Sequence, residues 1–198
     1  MARNLREHIL QTASELFYRQ GIKATGVDTI VKATGIAKMS LYKYFPSKDD
    51  LVLAHLQRSR EIMRAHILSG IEARTSDPKQ KLLAVFDVFE EFLETPSFRG
   101  CPFINASAEF AEEASPIQQA AAEFSESFRK MLAGLAQEAG IAETNAEELS
   151  KQLSMLISGA MVREQMQRNS KAMLTAYAAA EVLIEKSLAD APIDPATA

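Results

Sequence analysis

Eleven residues from Lys38 to Lys48, KMSLYKYFPSK, hold the densest set of groups suited to one chemistry. Ser40, Tyr42 and Tyr44 carry hydroxyls, and Lys38, Lys43 and Lys48 carry ammonium groups. Such side chains donate hydrogen bonds to phosphate oxygens, and serine is small enough to sit close to base edges. Leu41 and Phe45 fall where a helix would turn them inward. The plainer alternative is that Tyr42 and Tyr44 pack within a small helical bundle. Cys101 offers a second chemistry, in Arg99-Gly100-Cys101-Pro102-Phe103-Ile104-Asn105 at the start of a short helix. There the helix dipole and Arg99 are expected to lower the thiol pKa and favour the thiolate. The alternative is an inert cysteine filling a small space.

Other chemistries lack their residues. His8, His55 and His66 are scattered, with no pair at metal-ligand spacing, no zinc-type Cys/His pattern, no GxGxxG and no P-loop. No Ser/His/Asp grouping appears. An enzyme or small-molecule carrier with an incidental DNA-binding motif is therefore disfavoured, and no cofactor or metal is expected.

The basic, hydroxyl-rich run must be positioned by what precedes it. Val27, Ile30 and Val31 recur at helical spacing, and Thr25-x-x-Asp28 has the form of a capping box. Gly35 follows Thr34 where that helix must stop, because glycine accepts the left-handed conformation at low cost. Ile36 can plug the turn, and a second helix is predicted at 38–44. Helix, glycine-containing turn, helix is the helix-turn-helix pattern, whose second helix enters the major groove of DNA. Upstream, residues 3–20 form a supporting helix with Ile9, Ala13, Leu16 and Phe17 on one face. Downstream, Pro46 ends the recognition helix and Ser47-x-x-Asp50 caps a long fourth helix.

With these residues in view, the first ~55 positions resemble the DNA-binding domain of the tetracycline-repressor (TetR, AcrR-like) family of bacterial transcription regulators. The resemblance rests on Phe17, Gly21, Thr25, Ile30, Ala33, Gly35, the run Ser40 to Phe45, Ser47-Lys48 and Leu51. Many members carry histidine where this chain has Tyr44; either can reach a phosphate. The resemblance implies phosphate contacts for Tyr42 and Lys48, and for Thr25 at the amino end of a helix, where free N–H groups favour an anion. It implies a homodimer on double-stranded operator DNA and a cavity for a small-molecule effector in the helical body. The segment Gly100-Cys101 to Asn105 also resembles a stretch found in a subset of the family, some of whose members respond to electrophiles or oxidants.

Charge is divided unevenly. The 198 residues carry a net −4, yet residues 1–48 hold eight Lys/Arg against three acids, +5, so the remainder carries −9. A basic module on an acidic body places the electrostatic footprint at the helix-turn-helix. One cysteine excludes an internal disulfide framework and fits a reducing, cytoplasmic setting. Nothing resembles a signal peptide, and no apolar run approaches the roughly 20 residues of a membrane span.

The expected architecture is all-α, with about nine helices. After the fourth (47–70), further helices are predicted near 78–94, begun by Asp77-Pro78, then 102–113, 116–139, 144–168, begun by Thr144-x-x-Glu147, and 170–188. Residues 189–198 are expected to be disordered. Domains are drawn at 1–47 for DNA binding and 48–198 for ligand binding and dimerisation. The last two helices carry wide apolar faces with small residues among them, read as a dimer interface. Eight of the ten phenylalanines lie between Phe86 and Phe128. Such a cluster is ordinarily core, but Asn105, Glu109, His66 and Arg99 are polar groups placed among or beside it, as in a ligand pocket. The candidate effector contacts are His66, Phe86, Phe89, Cys101, Phe103, Asn105 and Phe128. The resulting reading is a ligand-responsive homodimeric repressor of a palindromic operator. Its rival is a thiol-based redox or electrophile sensor acting through Cys101.

Overall fold

A computed structural model describes residues 2–112 and 115–189, and the expected disorder of the tail from 190 onward lies outside them. Among the described residues there are nine helices and no strand: α1 (Ala2–Gln20), α2 (Val27–Thr34), α3 (Lys38–Tyr44), α4 (Lys48–Arg74), α5 (Pro78–Glu94), α6 (Pro102–Glu109), α7 (Pro116–Glu138), α8 (Glu143–Met166) and α9 (Ala172–Ala189). Packing gathers the described residues of Met1–Met63 and Cys101–Phe124 into one compact unit, and those of Arg64–Gly100 and Ser125–Ala198 into another.

The local signals explain several boundaries. Ser47 and Asp50 close a reciprocal cap at the start of α4: Asp50 N–H donates to Ser47 Oγ at 3.0 Å, and Ser47 N–H donates to Asp50 Oδ2 at 2.9 Å. Asp77 accepts from Gln80 N–H at 2.9 Å, with Pro78 in the first turn of α5. Gly35 terminates α2 with φ 68°, its N–H donating to Val31 O at 3.0 Å.

Other boundaries correct the sequence reading. The Thr25–Asp28 box does not form: the N-cap of α2 is Gly26, which has no side chain to cap with. Asp28 pairs with Lys38 instead, at 2.7 Å. Nor does Thr144–Glu147 cap α8, which begins at Glu143 after an Ala142 N-cap. Glu147 is drawn to the Arg129 guanidinium of α7. α6 stops at Glu109 rather than near 113, with Phe110 N–H closing on Ala106 O at 2.9 Å.

In the first unit, Ile9, Leu10, Ala13 and Phe17 of α1, Ile30 of α2, Leu41 and Phe45 around α3, and Leu51, Val52 and Leu56 of α4 are all buried. Each large aliphatic among them contributes about 1.5–3 kcal/mol on burial. Arg6 lies over the Phe45 ring at 4.9 Å, and Glu7 pairs with Arg58. Phe103 of α6 stacks on Phe124 of α7 with centroids 3.6 Å apart. In the second unit, α5 buries Leu82, Val85, Phe86 and Phe89, α8 buries Leu149, Leu153 and Ile157, and α9 buries Met173, Ala180 and Ile184. Gly70 lets α4 and α5 approach closely, since a Cβ there would meet Val88 Cγ2 at 2.6 Å.

Candidate nucleic-acid interface

α3 sorts its seven residues by face. Leu41 is buried, with Phe45 beyond the C-terminus also buried, while Lys38, Met39, Tyr42 and Lys43 are exposed and Ser40 and Tyr44 are half-buried. The pattern is that of a helix whose inner stripe anchors it and whose outer face is offered to a partner. The exposed face carries two ammonium groups and a phenol, the groups that bind phosphate.

The turn between α1 and α2, residues 21–26, is gripped from three directions. Thr25 is fully buried and its hydroxyl donates to Gly21 O at 2.7 Å. Lys48, half-buried at the start of α4, donates from Nζ to Ile22 O at 2.6 Å. Glu109, the last residue of α6, accepts from Ile22 N–H at 2.9 Å and Lys23 N–H at 2.5 Å, and Lys23 Nζ lies over the Phe110 ring at 5.3 Å. Loop amides and a loop carbonyl that lie outside any helix are thus satisfied by charged side chains brought from α6 and α4.

The six candidate DNA residues therefore divide. Lys38, Ser40, Tyr42 and Tyr44 stand on α3, at the surface or partly so; Lys38 is tied to Asp28, which raises its pKa first through that hydrogen bond and then through the charge itself. Lys48, half-buried at the start of α4, holds the turn through Ile22 O. Thr25 is buried, and its hydroxyl is engaged with Gly21 O within the turn. Glu109, placed by the sequence among the polar groups of a ligand pocket, is spent on the same turn. Sequence reasoning missed that role because Glu109 lies 86 and 87 positions from its partners, beyond any local signal. Met39 stands on the outer face of α3, a place that helical spacing also gives it.

His55 sits beneath this module, buried against Phe17 with ring centroids 5.6 Å apart. Burial, aided by the nearby Arg58 charge, pushes its pKa down to about 4, and its buried Nδ1 has no hydrogen-bond partner among the described residues. It is a neutral packing residue at ordinary pH.

The candidate effector residues are only partly brought together. Phe89 and Phe128 meet edge to face at 5.6 Å, and Phe86 meets Tyr177 similarly at 6.3 Å. Phe103 is paired with Phe124, Asn105 is half-buried on α6, and His66 is exposed on α4. Cys101 overturns its expectation. It is buried, and burial pushes the thiol pKa up; N–H groups of Ile104 and Phe103 oppose this without prevailing. Desolvation of the charged form outweighs the helix terminus. Among the described residues, no group of three or more His, Cys, Asp or Glu could hold a metal ion, and no helix is long and apolar enough to cross a membrane.

α8 and α9 frame an open groove of about 730 Å3 lined by Gln152, Met155, Leu156, Gly159, Arg163, Thr175, Ala179 and Leu183 among others. Met155, Val162 and Met166 of α8 and Leu174 and Val182 of α9 are exposed large apolar side chains. Large apolar side chains are thus exposed together on two neighbouring helices.

Comparison with known proteins accords with this arrangement. Residues 9–55 match the family model for bacterial regulatory proteins of the tetR family, and residues 78–180 match the tetracyclin repressor-like C-terminal domain. The HTH-type transcriptional regulator YxaF of Bacillus subtilis is 30% identical over 183 residues, covering 91% of this chain and 95% of that protein. LmrA, an HTH-type transcriptional regulator of the same organism, is 29% identical over 171 residues, 85% of this chain and 90% of its own. The crystal structure of a TetR-family transcriptional regulator from Streptomyces coelicolor superimposes with a TM-score of 0.85 at 27% identity, covering 92% of this chain and 95% of that one. A helix with a buried stripe and a basic outer face, set in a module whose sequence and fold both match, makes this chain a member of the TetR family: a helix-turn-helix transcription regulator and not an enzyme.

Proposed function

We propose that the protein is a homodimeric repressor that binds a palindromic operator and is released when a small molecule enters its helical body. The observation that carries this is the sorting of α3, with Leu41 and Phe45 inside and Lys38, Tyr42 and Lys43 outside. Residues 1–47 are the DNA-binding module, with Lys38, Ser40, Tyr42, Tyr44 and Lys48 as its contacts, and the rest of the chain serves dimerisation and ligand binding. The exposed apolar groove of α8 and α9 supports a second copy of the chain as its occupant. A single half-site reader gains affinity and a defined half-site spacing from such a twofold partner. The effector is lipophilic or planar, in keeping with the ring pairs Phe86–Tyr177 and Phe89–Phe128. It releases DNA by binding more tightly to a spacing of the two recognition helices that the duplex does not match. The regulator works where the chromosome is, in the cytoplasm, and needs no cofactor.

The raised pKa and burial of Cys101 speak against the thiol-sensor alternative. Selection of duplexes from a randomised pool, with sedimentation of the free protein, tests the main reading. An enriched inverted repeat and a dimer are expected. Tyr42→Ala and Lys48→Ala should each weaken binding to the enriched duplex by about tenfold while helix content is kept. A monomer that enriches no sequence at moderate salt would overturn the proposal.

A further inference from the structure

Met39 is the second residue of α3 and stands 85% exposed, more than any other large apolar side chain among the described residues. The other exposed large aliphatic side chains among the described residues lie on α4, α8 and α9, whereas Met39 stands on α3 with exposed Lys38, Tyr42 and Lys43. Lys38 beside it is held to Asp28 on α2 at 2.7 Å. An unbranched apolar chain thus extends outward at the amino end of the recognition helix, the end whose residues meet base edges in this motif.

A thioether chain gains little from a phosphate, and it is a poor partner for the donors and acceptors on base edges. The major groove offers one apolar group, the 5-methyl of thymine. Methionine, with three rotatable bonds and a polarisable sulfur, adapts its reach to such a target. We infer that Met39 reads a thymine methyl in each half-site and so sets sequence preference at that position. The inference rests on the DNA-binding reading above and adds to it a residue and the base feature it recognises.

The test removes the methyl alone. Each thymine of the duplex enriched by the parent protein is replaced in turn by deoxyuridine, and affinities are measured for the parent and for Met39→Ala. The parent should lose about fourfold in affinity at one position per half-site, the worth of one buried methyl. Met39→Ala should bind the thymine and deoxyuridine duplexes equally at that position. Because the side chain is exposed, the variant should unfold like the parent. The inference fails if every deoxyuridine effect persists unchanged in Met39→Ala, or if no position is sensitive in the parent. In both of those cases duplex enrichment itself would still stand, so the DNA-binding reading would survive.

Discussion

Two inter-helix turns in this chain are built on opposite principles. The turn between α2 and α3 uses glycine: Gly35 takes φ 68°, its N–H reaches Val31 O, and α3 starts from Ala37 without a side-chain cap. The turn between α8 and α9 has no glycine. Asn169 and Lys171 both take positive φ, 59° and 54°, and the buried Glu164 carboxylate holds Asn169 and the intervening Ser170. It accepts from Asn169 N–H at 2.6 Å, Ser170 N–H at 3.0 Å and Ser170 Oγ at 2.7 Å. The first turn avoids strain by residue choice; the second tolerates strain because a charge fixes the amides around it. A turn of the first kind is written in its own residues, whereas one of the second kind depends on a residue a helical turn or more away.

Removing the carboxylate should therefore be the most damaging change. Glu164→Ala is expected to lower stability by about 2–4 kcal/mol in urea denaturation at pH 7, because three donors lose a charged acceptor. A loss below about 0.5 kcal/mol would show that the turn does not need it.

Acid should separate the two regions by pH. Burial alone would raise the Glu164 pKa, but the Ser170 hydroxyl, the two backbone N–H groups and Arg168 together hold it below the ordinary value. Its contribution is present above about pH 4.5 and is lost as pH falls through the depressed folded value. His55, near the DNA-binding module, has its pKa lowered from 6.5 to about 4, so the unfolded chain takes up a proton first. Stability linked to His55 is intact above 6.5 and declines down to about 4, by up to roughly 3 kcal/mol. Denaturation curves from pH 7 to pH 4 should show this decline in the parent and a flatter course in His55→Phe. Parallel curves would exclude His55 as the source.

Smaller effects should have opposite signs at the two turns. Gly35→Ala forces a Cβ into the left-handed region and should cost about 1 kcal/mol by thermal melting. Lys171→Gly relieves the same conformation and should gain about 0.5 kcal/mol. Equal signs for the two would mean that the backbone conformations do not govern these turns.

The same division explains what could be read in advance. The limits of α2 and α3, the Ser47–Asp50 cap and the Asp77–Pro78 start depend on residues within four positions of each other, and those hydrogen bonds form as expected. The Thr25–Asp28 and Thr144–Glu147 boxes had the same local form but failed. Burial took the Thr25 hydroxyl to Gly21, and Lys38 and Arg129 took the two carboxylates. A capping pattern states what a side chain can do; competing partners decide whether it does.

The amino-acid order alone determined the helical fold, the helix-turn-helix and the sign of charge on each part of the chain, because helix periodicity, glycine stops and charge counts act over a few residues. Tertiary structure alone decided that Cys101 is desolvated and that Glu109 spends its charge on the amides of Ile22 and Lys23. Burial and long-range pairing depend on which surfaces meet once the helices pack, and no stretch of sequence carries that information by itself.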